Sequence, residues 1–465
     1  MRRRWTGSAL PGLGLAGGAI AGALVAGLSG IAGPHRSIAA SPVGAPFIEA
    51  THVPVSLTVP GEPIALRYDV YCAGSDESID EGSCDATGSV FVRAGDTGAF
   101  EETPLVLDPN ATGGRYVARV PDDIARSAEG FSYYATVQSV ATGATTTEPA
   151  GGASAPQRSF PIGRSVDIHL GAHLFGATAA PDRRVAQAPW GDGPGEAGLE
   201  RGQGLTPLGG SSFDVTTGGT VDVLDEAHRR ILRWTDGATT PERVPVAVNG
   251  TLADLAVSTD GDSMYVLEST AEPGRSPLVR EFSRDGRAKS SARIGERMAS
   301  QVRMGPTGPV ALEQPSGAWM PVMEGGEAVA PEDQRRRGRS GRPVAGGDDI
   351  VILRTENEIR TAIVGPRGVR RSWRVTSDTP IGEVQLAQPL GSRLVLVFRV
   401  YTETRSEFVA LVLDERGVVR QLSLDPADWA ETAPLAKFRV AGKWLYRLGS
   451  TSRGLFVDRF DLEVS

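Results

Sequence analysis

Histidine is the commonest metal ligand in proteins, and this chain offers few candidates. It contains five histidines in 465 residues: His35, His52, His169, His173 and His228. His169 and His173 are four residues apart in a stretch that alternates as a strand does, so both side chains share one face but lie about 13 Å apart. That distance is too long for one metal ion, and no histidine follows residue 228. The pattern therefore argues against a histidine-based zinc site.

Oxygen ligands offer a second route to a metal site. Asp260 and Asp262 flank a glycine in one turn, and Asp348 and Asp349 are adjacent in another. Carboxylates suit calcium, although neither turn has the twelve-residue pattern of a calcium-binding loop, and acidic turns commonly bind no metal. Calcium therefore stays open as a cofactor, beside the interpretation that the protein needs none.

Motifs for nucleophilic catalysis and for phosphate binding are missing from the sequence. No Gly-x-Ser-x-Gly elbow occurs between a strand pattern and a helix pattern. The glycine-rich stretch at 191–195 lacks the Lys-Ser/Thr of a phosphate loop, and no helical pattern follows it. We therefore predict no catalytic residue and no nucleotide site.

The two cysteines, Cys72 and Cys84, enclose eleven residues rich in Gly, Ser, Asp and Glu. An even pair that closes a short polar loop in an exported chain predicts a disulfide, which would stabilise the fold by about 2–3 kcal/mol. The alternative is a pair of metal ligands, but no further cysteine or histidine lies close by in the sequence.

The first forty residues have the pattern of an export signal. Three arginines at positions 2–4 precede an uncharged apolar stretch at 9–31, and small residues follow at 37–40. This pattern predicts a secretory signal peptide over 1–40. Because the apolar stretch is long, an uncleaved N-terminal anchor is the alternative. Either interpretation places the protein outside the cell or in the cell envelope, with membrane contact only through that segment.

Composition excludes several classes of protein. The formal charge is −8, and it becomes −12 once the four arginines of residues 1–40 are left out. Such an acidic chain lacks the electrostatic footprint that binds nucleic acid or an anionic membrane surface. With 40% hydrophobic residues, 58 glycines and 32 prolines, the chain can form a core and is rich in turns, and this composition excludes collagen, a coiled coil and a multi-span membrane protein.

Residues 47–162 consist of short runs in which apolar and polar residues alternate, such as 55–59, 64–71 and 131–137. Alternation with a period of two indicates strands with one buried face. About seven such runs in about 115 residues predict a β-sandwich. The segments 114–116 and 130–135 resemble the closing hairpin of immunoglobulin-like modules in secreted bacterial proteins, which implies a spacer or a binding unit.

Residues 163–465 repeat. Six glycines in tight turns, Gly219, Gly261, Gly308, Gly347, Gly391 and Gly442, are spaced by 42, 47, 39, 44 and 51 residues, and a β-rich run follows each. A spacing of about 40–50 residues with several strands per repeat predicts the blades of a β-propeller. The last repeat lacks a fourth strand, so we predict that the early run 184–188 completes it and closes a six-bladed ring.

Residues 190–234 resemble an NHL repeat, the unit of six-bladed NHL propellers, and 252–282 resemble it in part. The resemblance implies a structural role for Asp225 and Arg230, and it places His228 at a turn position. NHL propellers include lyases, esterase-like enzymes and many binding proteins, so the fold by itself assigns no activity.

These observations favour an exported, non-catalytic binding or scaffold protein, whose ligand (a protein, a glycan or a small molecule) would sit over the propeller axis. A structural protein of the cell envelope is a further option. The alternative with catalysis is an NHL-type lyase or lactonase that uses an acidic calcium site on the same face. The candidate contacts share a position near blade connections: Trp190, Asp192, His228, Glu268, Glu313 and Arg354.

The run 335–342 is the one basic cluster after residue 40, with five arginines among eight residues. Glycine and serine interrupt it and no aromatic residue accompanies it, which favours a solvated loop between blades. Contact with a polyanion and a protease-sensitive tip are the alternatives.

Overall fold

A computed structural model describes residues 47–73, 85–109, 111, 114–201, 206–248, 253–268, 276–295, 299–313, 317–427, 429–430 and 436–463. The predicted export segment 1–40 and Cys84 lie outside the described residues, so the signal and the disulfide stay predictions. Within the described ranges, no helix is both long enough and apolar enough to span a bilayer.

The N-terminal part of the described chain is a sandwich of two β-sheets. One sheet has the spatial order Phe47–His52, Ala65–Ala73, Arg115–Arg119 and Val106–Leu107. The other has the order Leu57–Thr58, Gln157–Pro161, Phe131–Ser139, Ala86–Ala94 and Glu101–Pro104, and Thr145–Glu148 also pairs with Phe131–Ser139. Side chains that alternate along the strands, such as Leu66, Tyr68, Phe131 and Tyr133, fill the space between the sheets. A short helix, Asp122–Ala125, and a 3-10 turn, Gly152–Ser154, connect strands.

In the described part of the remaining chain, six sheets of three to five strands, which we number as blades 1–6, are accompanied by one separate two-stranded hairpin, and this confirms the predicted all-β propeller fold. The strands of each blade are named in order from the axis of the ring outward, so the first strand named is the inner strand. Blade 1 contains Ser212–Val215, Val221–Asp225, Arg230–Trp234 and Glu242–Pro245; blade 2 contains Ala253–Val257, Ser263–Glu268, Leu278–Ser283 and Ala288–Arg293. Blade 3 contains Ala299–Met304, Pro309–Glu313 and Trp319–Pro321; blade 4 contains Arg342–Val344, Asp348–Arg354, Glu358–Gly365 and Gly368–Thr376. Blade 5 contains Ile381–Leu390, Arg393–Tyr401, Ser406–Asp414 and Gly417–Leu424; blade 6 contains Phe438–Ala441, Trp444–Thr451 and Gly454–Asp461.

The six marker glycines occupy equivalent positions. Each lies in the turn between the first and second strands of its blade, and each has a positive φ. At Gly219 and Gly261, φ is 81° and 78°, a backbone conformation that side chains with a Cβ rarely adopt. The regular spacing of glycine along the chain therefore reflects one turn that every blade repeats.

The predicted ring closure is confirmed. Arg183–Pro189 pairs in antiparallel fashion with Gly454–Asp461 and becomes the outer strand of blade 6. The two backbones are so close that a Cβ on Gly454 would lie 2.1 Å from the carbonyl oxygen of Ala188. Residues about 270 positions apart are thus joined in one sheet, and the ring has no open edge at this point.

Two blades depart from the predicted four-stranded pattern. In blade 3 the sheet stops after Trp319–Pro321, and Met323–Glu324 and Glu327–Ala328 form a separate hairpin. Pro321 has no N–H to donate to a further strand, which is a physical reason for the break. Blade 4 instead gains a fifth, parallel strand, Val166–His169, on its outer edge.

The sandwich packs against blades 3 and 4. Leu57 and Ile162 form an apolar cluster with Val351, Ala362 and Val364 of blade 4. In addition, Ser340 exchanges hydrogen bonds with the backbone of Arg158, at 3.2 and 3.1 Å. The segment between the first two strands of the sandwich reaches the loops of blade 3, where a Cβ on Gly317 would meet Pro54 at 2.9 Å. These contacts hold residues 53–56 at the centre of the ring.

Candidate functional site

A cavity of about 390 Å³ lies where the inner strands of blades 3–6 converge beneath the sandwich. We call it the axial cavity. Its lining comprises Val53, Pro54, Ser56, Gln301, Arg303, Leu312, Gly317, Trp319, Ser340, Arg342, Ile350, Ile352, Leu353, Arg354, Val384–Gln388 and Arg439. Aliphatic side chains provide much of the wall, and a few polar groups interrupt it, which is the usual composition of a ligand pocket.

Charged side chains on five of the six inner strands converge toward the axis, and we call them the axial charges: Asp214, Asp254, Arg303, Arg342 and Arg439. Arg303 donates to Asp254 at 2.5 Å, and Arg439 donates to Asp214 at 3.1 Å. Arg439 also approaches Asp254 at 3.9 Å. Two arginines therefore have carboxylate partners. Arg303 pairs with a carboxylate of blade 2, and Arg439 pairs with a carboxylate of blade 1, so each ion pair joins two neighbouring blades of the ring.

Arg342 differs from the other two axial arginines. Its Nη2 donates to the carbonyl oxygen of Ala387 at 2.5 Å, and within the described residues it forms no ion pair with a carboxylate. Burial, followed by the positive charges of Arg303 and Arg439, lowers the pKa of Arg342 to about 9. The pKa of Arg439 falls to about 10 for the same reasons, and Asp214 and Asp254 oppose that fall. Among the axial charges of the described chain, three guanidinium groups thus face two carboxylates, and Arg342 is the one that forms no ion pair with either of them.

Amide side chains complete the polar lining. Gln388 donates to the carbonyl oxygen of Val440 at 3.0 Å, which fixes its orientation and leaves its Oε1 as an acceptor. Gln301 accepts from Arg303 at 3.2 Å. The lining contributed by the described chain contains no carboxylate, imidazole, thiol or amine, so the groups available there can bind polar atoms but are poorly suited to transfer protons.

Three of the six predicted contacts lie together, away from the axial cavity. Asp192 Oδ1 is 3.1 Å from His228 Nε2, and His228 Nδ1 is 2.8 Å from Asp225 Oδ2. Partial burial disfavours the charged imidazole, but the hydrogen bonds with Asp225 and Asp192 outweigh it, so the pKa of His228 is raised. The ring of Trp190 lies 6.3 Å from that of the exposed Trp429.

The other three predicted contacts do not join this group. Glu268 is buried and pairs with Arg280 at 2.8 Å, and Glu313 is also buried. Arg354 lines the axial cavity and donates to the carbonyl oxygen of Ile381 at 3.0 Å. Of the six predicted residues, Arg354 alone belongs to the cavity lining that the described chain provides. Counting strands along the sequence indicated where the connections between strands lie, but it did not identify which of these connections border the axial cavity.

The residues weighed as metal ligands are also dispersed. His173 Nε2 lies 2.8 Å from Glu407, whereas His169 lies 3.7 Å from Asp378. The acidic turns at 260–262 and 348–349 belong to different blades, and both occur where the first strand meets the second, at the end opposite the His228 loop. In the part of the chain described here, no group of three or more His, Cys, Asp or Glu side chains is placed to hold a metal ion.

The basic run 335–342 is only partly the solvated loop that we predicted. Its first residues end a short helix, Pro331–Arg336, and Arg339 lies 3.3 Å from Asp349. Its last residue, Arg342, begins the inner strand of blade 4 and enters the axial cavity. For this residue the structure differs from a solvated loop, because a strand begins within the run and places Arg342, partly buried, in the lining of the cavity. That strand start is the signal in the sequence that could have separated Arg342 from its neighbours.

Glu226, beside the His228 group, gives a pH prediction. Burial raises the pKa of Glu226 to about 8, although hydrogen bonds from Ser211 and the Ala253 N–H oppose the rise. A carboxyl group whose pKa is raised on folding destabilises the protein as pH increases from about 4.5, where the unfolded chain ionises, to about 8. We expect the Glu226→Gln variant to lose less stability than the wild type over this range. The difference should be on the order of 2 kcal/mol after discounting for partial solvent contact.

Urea unfolding at pH 5 and pH 8 measures that difference. The matched control is Glu415→Gln, which alters an exposed carboxylate in a turn and should keep the wild-type pH dependence. Equal pH dependence of Glu226→Gln and the wild type would show that Glu226 ionises normally in the folded protein.

Comparisons with known proteins find similarity of fold. No protein-family model matches the chain, and no curated protein matches it either. Among solved structures, virginiamycin B lyase from Staphylococcus aureus is 10% identical, with 54% of this chain and 95% of that one covered at a TM-score of 0.33. A protein of unknown function from Bacteroides caccae is 14% identical, with 48% and 85% covered at a TM-score of 0.33. A gluconolactonase from Xanthomonas campestris is 12% identical, with 60% and 100% covered at a TM-score of 0.25.

Proposed function

We propose that this chain is an exported binding protein without catalytic activity, and that the axial cavity holds its small-molecule ligand. The observation that carries the proposal is the cavity itself, which lies at the convergence of four inner strands and beneath the sandwich. Its volume of about 390 Å³ falls within the range of small-molecule sites, roughly 300–1,000 Å³. Because residues 53–56 line it as well, both parts of the folded chain contribute to one site.

The chemistry of the lining favours binding over catalysis. General acid–base catalysis needs a group that gains or loses a proton near neutral pH, and the lining supplied by the described residues consists of arginine, glutamine, serine and apolar side chains. Arginine and glutamine supply directed hydrogen bonds, which select and orient a ligand.

A calcium-dependent lyase or lactonase is the rival function. It would draw on the acidic turns, of which Asp348 pairs with Arg370 at 2.8 Å and Asp260 accepts from its own turn. Because these carboxylates are on separate blades, we favour the binding protein.

Filling the cavity tests the proposal. Val384 lines the axial cavity, so Val384→Trp should occupy it, whereas Val418→Trp places the same ring on an exposed strand of the same blade. We expect at least one of citrate, inorganic phosphate, glucose and arginine to raise the Tm of the wild type and of Val418→Trp but not that of Val384→Trp. Thermal melts followed by circular dichroism at constant ionic strength measure the Tm of each protein with and without each compound. Equal responses of the two variants, or no response from any compound, would contradict the proposal.

The same thermal melts, repeated with EDTA, distinguish the proposed binding protein from the calcium-dependent enzyme. We expect EDTA to leave the Tm of the wild type unchanged. A fall in Tm that calcium reverses would support the calcium-dependent enzyme instead.

A further inference from the structure

We infer that the ligand of the axial cavity is a small anion whose carboxylate or phosphate group binds the guanidinium of Arg342. This inference rests on the proposed function, since it assigns a ligand class to the same site. It depends on the position of Arg342, on the partners of the neighbouring arginines and on where positive charge is concentrated in the molecule.

The unequal pairing of the axial charges is the first argument. Arg303 and Arg439 have carboxylate partners on blades 2 and 1, whereas Arg342 has a carbonyl oxygen at 2.5 Å and no carboxylate within the described residues. Arg342 is partly buried, and a charge that gives up hydration in a protein is normally paired, because an uncompensated ion does not recover that hydration elsewhere. An anion in the cavity would supply the missing partner.

The chemistry of the group is the second argument. A guanidinium presents a planar fork of N–H donors that matches the two oxygens of a carboxylate or a phosphate. One Nη of Arg342 is held by the carbonyl oxygen of Ala387, on the inner strand of blade 5. That bond orients the fork, while the rest of the guanidinium borders the cavity. Gln301 and Gln388 line the same space, and their remaining amide N–H groups can donate to further oxygen atoms of the ligand.

The charge of the whole molecule is the third argument. The chain carries a formal charge of −8, so its surface as a whole does not attract anions. Against that background, Arg303, Arg342, Arg354 and Arg439 all border one cavity. This cluster of positive charge in an acidic protein favours anions in the cavity, whereas the rest of the surface does not attract them.

Substitution of Arg342 tests the ligand class. Arg342→Met removes the charge and keeps an unbranched side chain, and Arg342→Lys keeps the charge without the fork. The control Arg367→Met removes a charge of the same sign from an exposed hairpin of the same blade. Calorimetric titrations with citrate, inorganic phosphate and glucose, together with melts in each compound, measure the outcome.

We expect citrate or phosphate to bind the wild type and Arg367→Met equally, and to bind Arg342→Met at least about 30-fold more weakly. Arg342→Lys should be intermediate. In buffer without these anions, Arg342→Met should melt no lower than the wild type, because it removes a partly buried charge that lacks a carboxylate partner; this result would show that the variant folds. Citrate binding without phosphate binding would identify the carboxylate as the recognised group, and the reverse result the phosphate.

Three outcomes separate the failure of this inference from the failure of the proposed function. Suppose that glucose raises the Tm of the wild type but not that of Val384→Trp, and that citrate and phosphate change the Tm of neither protein. The cavity then binds a ligand, but the assigned ligand class is wrong. If citrate and phosphate bind Arg342→Met as tightly as the wild type, Arg342 is not the anion-binding group. If no compound raises the Tm of the wild type by more than it raises that of Val384→Trp, the proposed function fails together with its ligand class.

Discussion

The Asp458→Asn variant is expected to lose about 3–5 kcal/mol of its free energy of unfolding, because the substitution leaves the buried guanidinium of Arg447 and the half-exposed guanidinium of Arg184 without their carboxylate. Asp458 is 1% exposed and lies on the last strand of blade 6. Arg184, on the closing strand, donates to it at 2.8 and 3.2 Å, and Arg447, on the neighbouring strand, donates to it at 3.2 Å. One carboxylate therefore ties together three strands, one of which comes from the other end of the propeller sequence.

The effect should act on ring closure. When the pairing of Arg183–Pro189 with Gly454–Asp461 weakens, blade 6 exposes an unpaired strand edge, and the covalent link from blade 6 through the closing strand to blade 1 no longer holds the ring closed. The midpoint of urea unfolding, followed by circular dichroism, measures the loss of stability.

An exposed ion pair on the same closing strand supplies the control. Arg183 lies 3.5 Å from Asp236, and both side chains are largely solvated, at 48% and 73% exposure. Asp236→Asn should therefore change stability by less than about 0.5 kcal/mol. A similar small effect of Asp458→Asn would show that the cluster is not what holds the ring closed.

The propeller could be predicted from the sequence because its signals are local and repeated. In each blade the tight turn between the first and second strands has a positive φ, so glycine recurs at positions such as Gly219, Gly261 and Gly391, and the spacing reports the length of a blade. Ring closure followed from counting strands, since the final repeat had three and Arg184 belonged to an additional one. Alternation of apolar residues likewise indicated the strands of the sandwich.

The axial cavity could not be predicted in the same way, because it depends on contacts between distant segments. Arg342 belongs to a run of arginines whose other members are near solvent, and its burial is decided by the start of an inner strand and by the blades around it. Pro54 reaches the cavity because Leu57 packs on blade 4, a contact between residues about 300 positions apart. No local pattern encodes such a contact.

The predicted contact residues show the same limit. Asp192 and His228 do lie together, because both belong to connections on the same side of blade 1. Glu268 pairs with Arg280 on the adjacent strand and does not line the axial cavity, so its role as a ligand contact stays a prediction. Whether an acidic side chain at such a position meets a ligand or a neighbouring arginine depends on cross-strand pairing, which single-sequence patterns do not resolve.

The Asp254→Asn variant is expected to show the second large effect, a loss of about 3–5 kcal/mol in the free energy of unfolding. Asp254 is fully buried on the inner strand of blade 2. It accepts from the Ser212 hydroxyl at 2.6 Å, from the Val302 N–H at 2.8 Å and from Arg303 at 2.5 Å, and these partners belong to blades 1 and 3. The substitution keeps the shape of the side chain but removes the charge that neutralises Arg303.

The control is Asp262→Asn, which removes a carboxylate from an exposed turn of the same blade and should change stability by less than about 0.5 kcal/mol. Urea unfolding measures both variants.

The same variant links the stability of the ring to the proposed ligand. Among the axial charges, loss of Asp254 leaves Arg303, Arg342 and Arg439 facing Asp214 alone, so the surplus of positive charge increases from one to two. A ligand that binds only the folded state stabilises it in proportion to its affinity, and an anion should bind the more positive cavity more tightly. Citrate or phosphate should therefore raise the Tm of Asp254→Asn by more than that of the wild type or Asp262→Asn, at constant ionic strength. An equal rise in all three proteins would mean that these anions act elsewhere, because the charge at the axis would then have no influence on their binding.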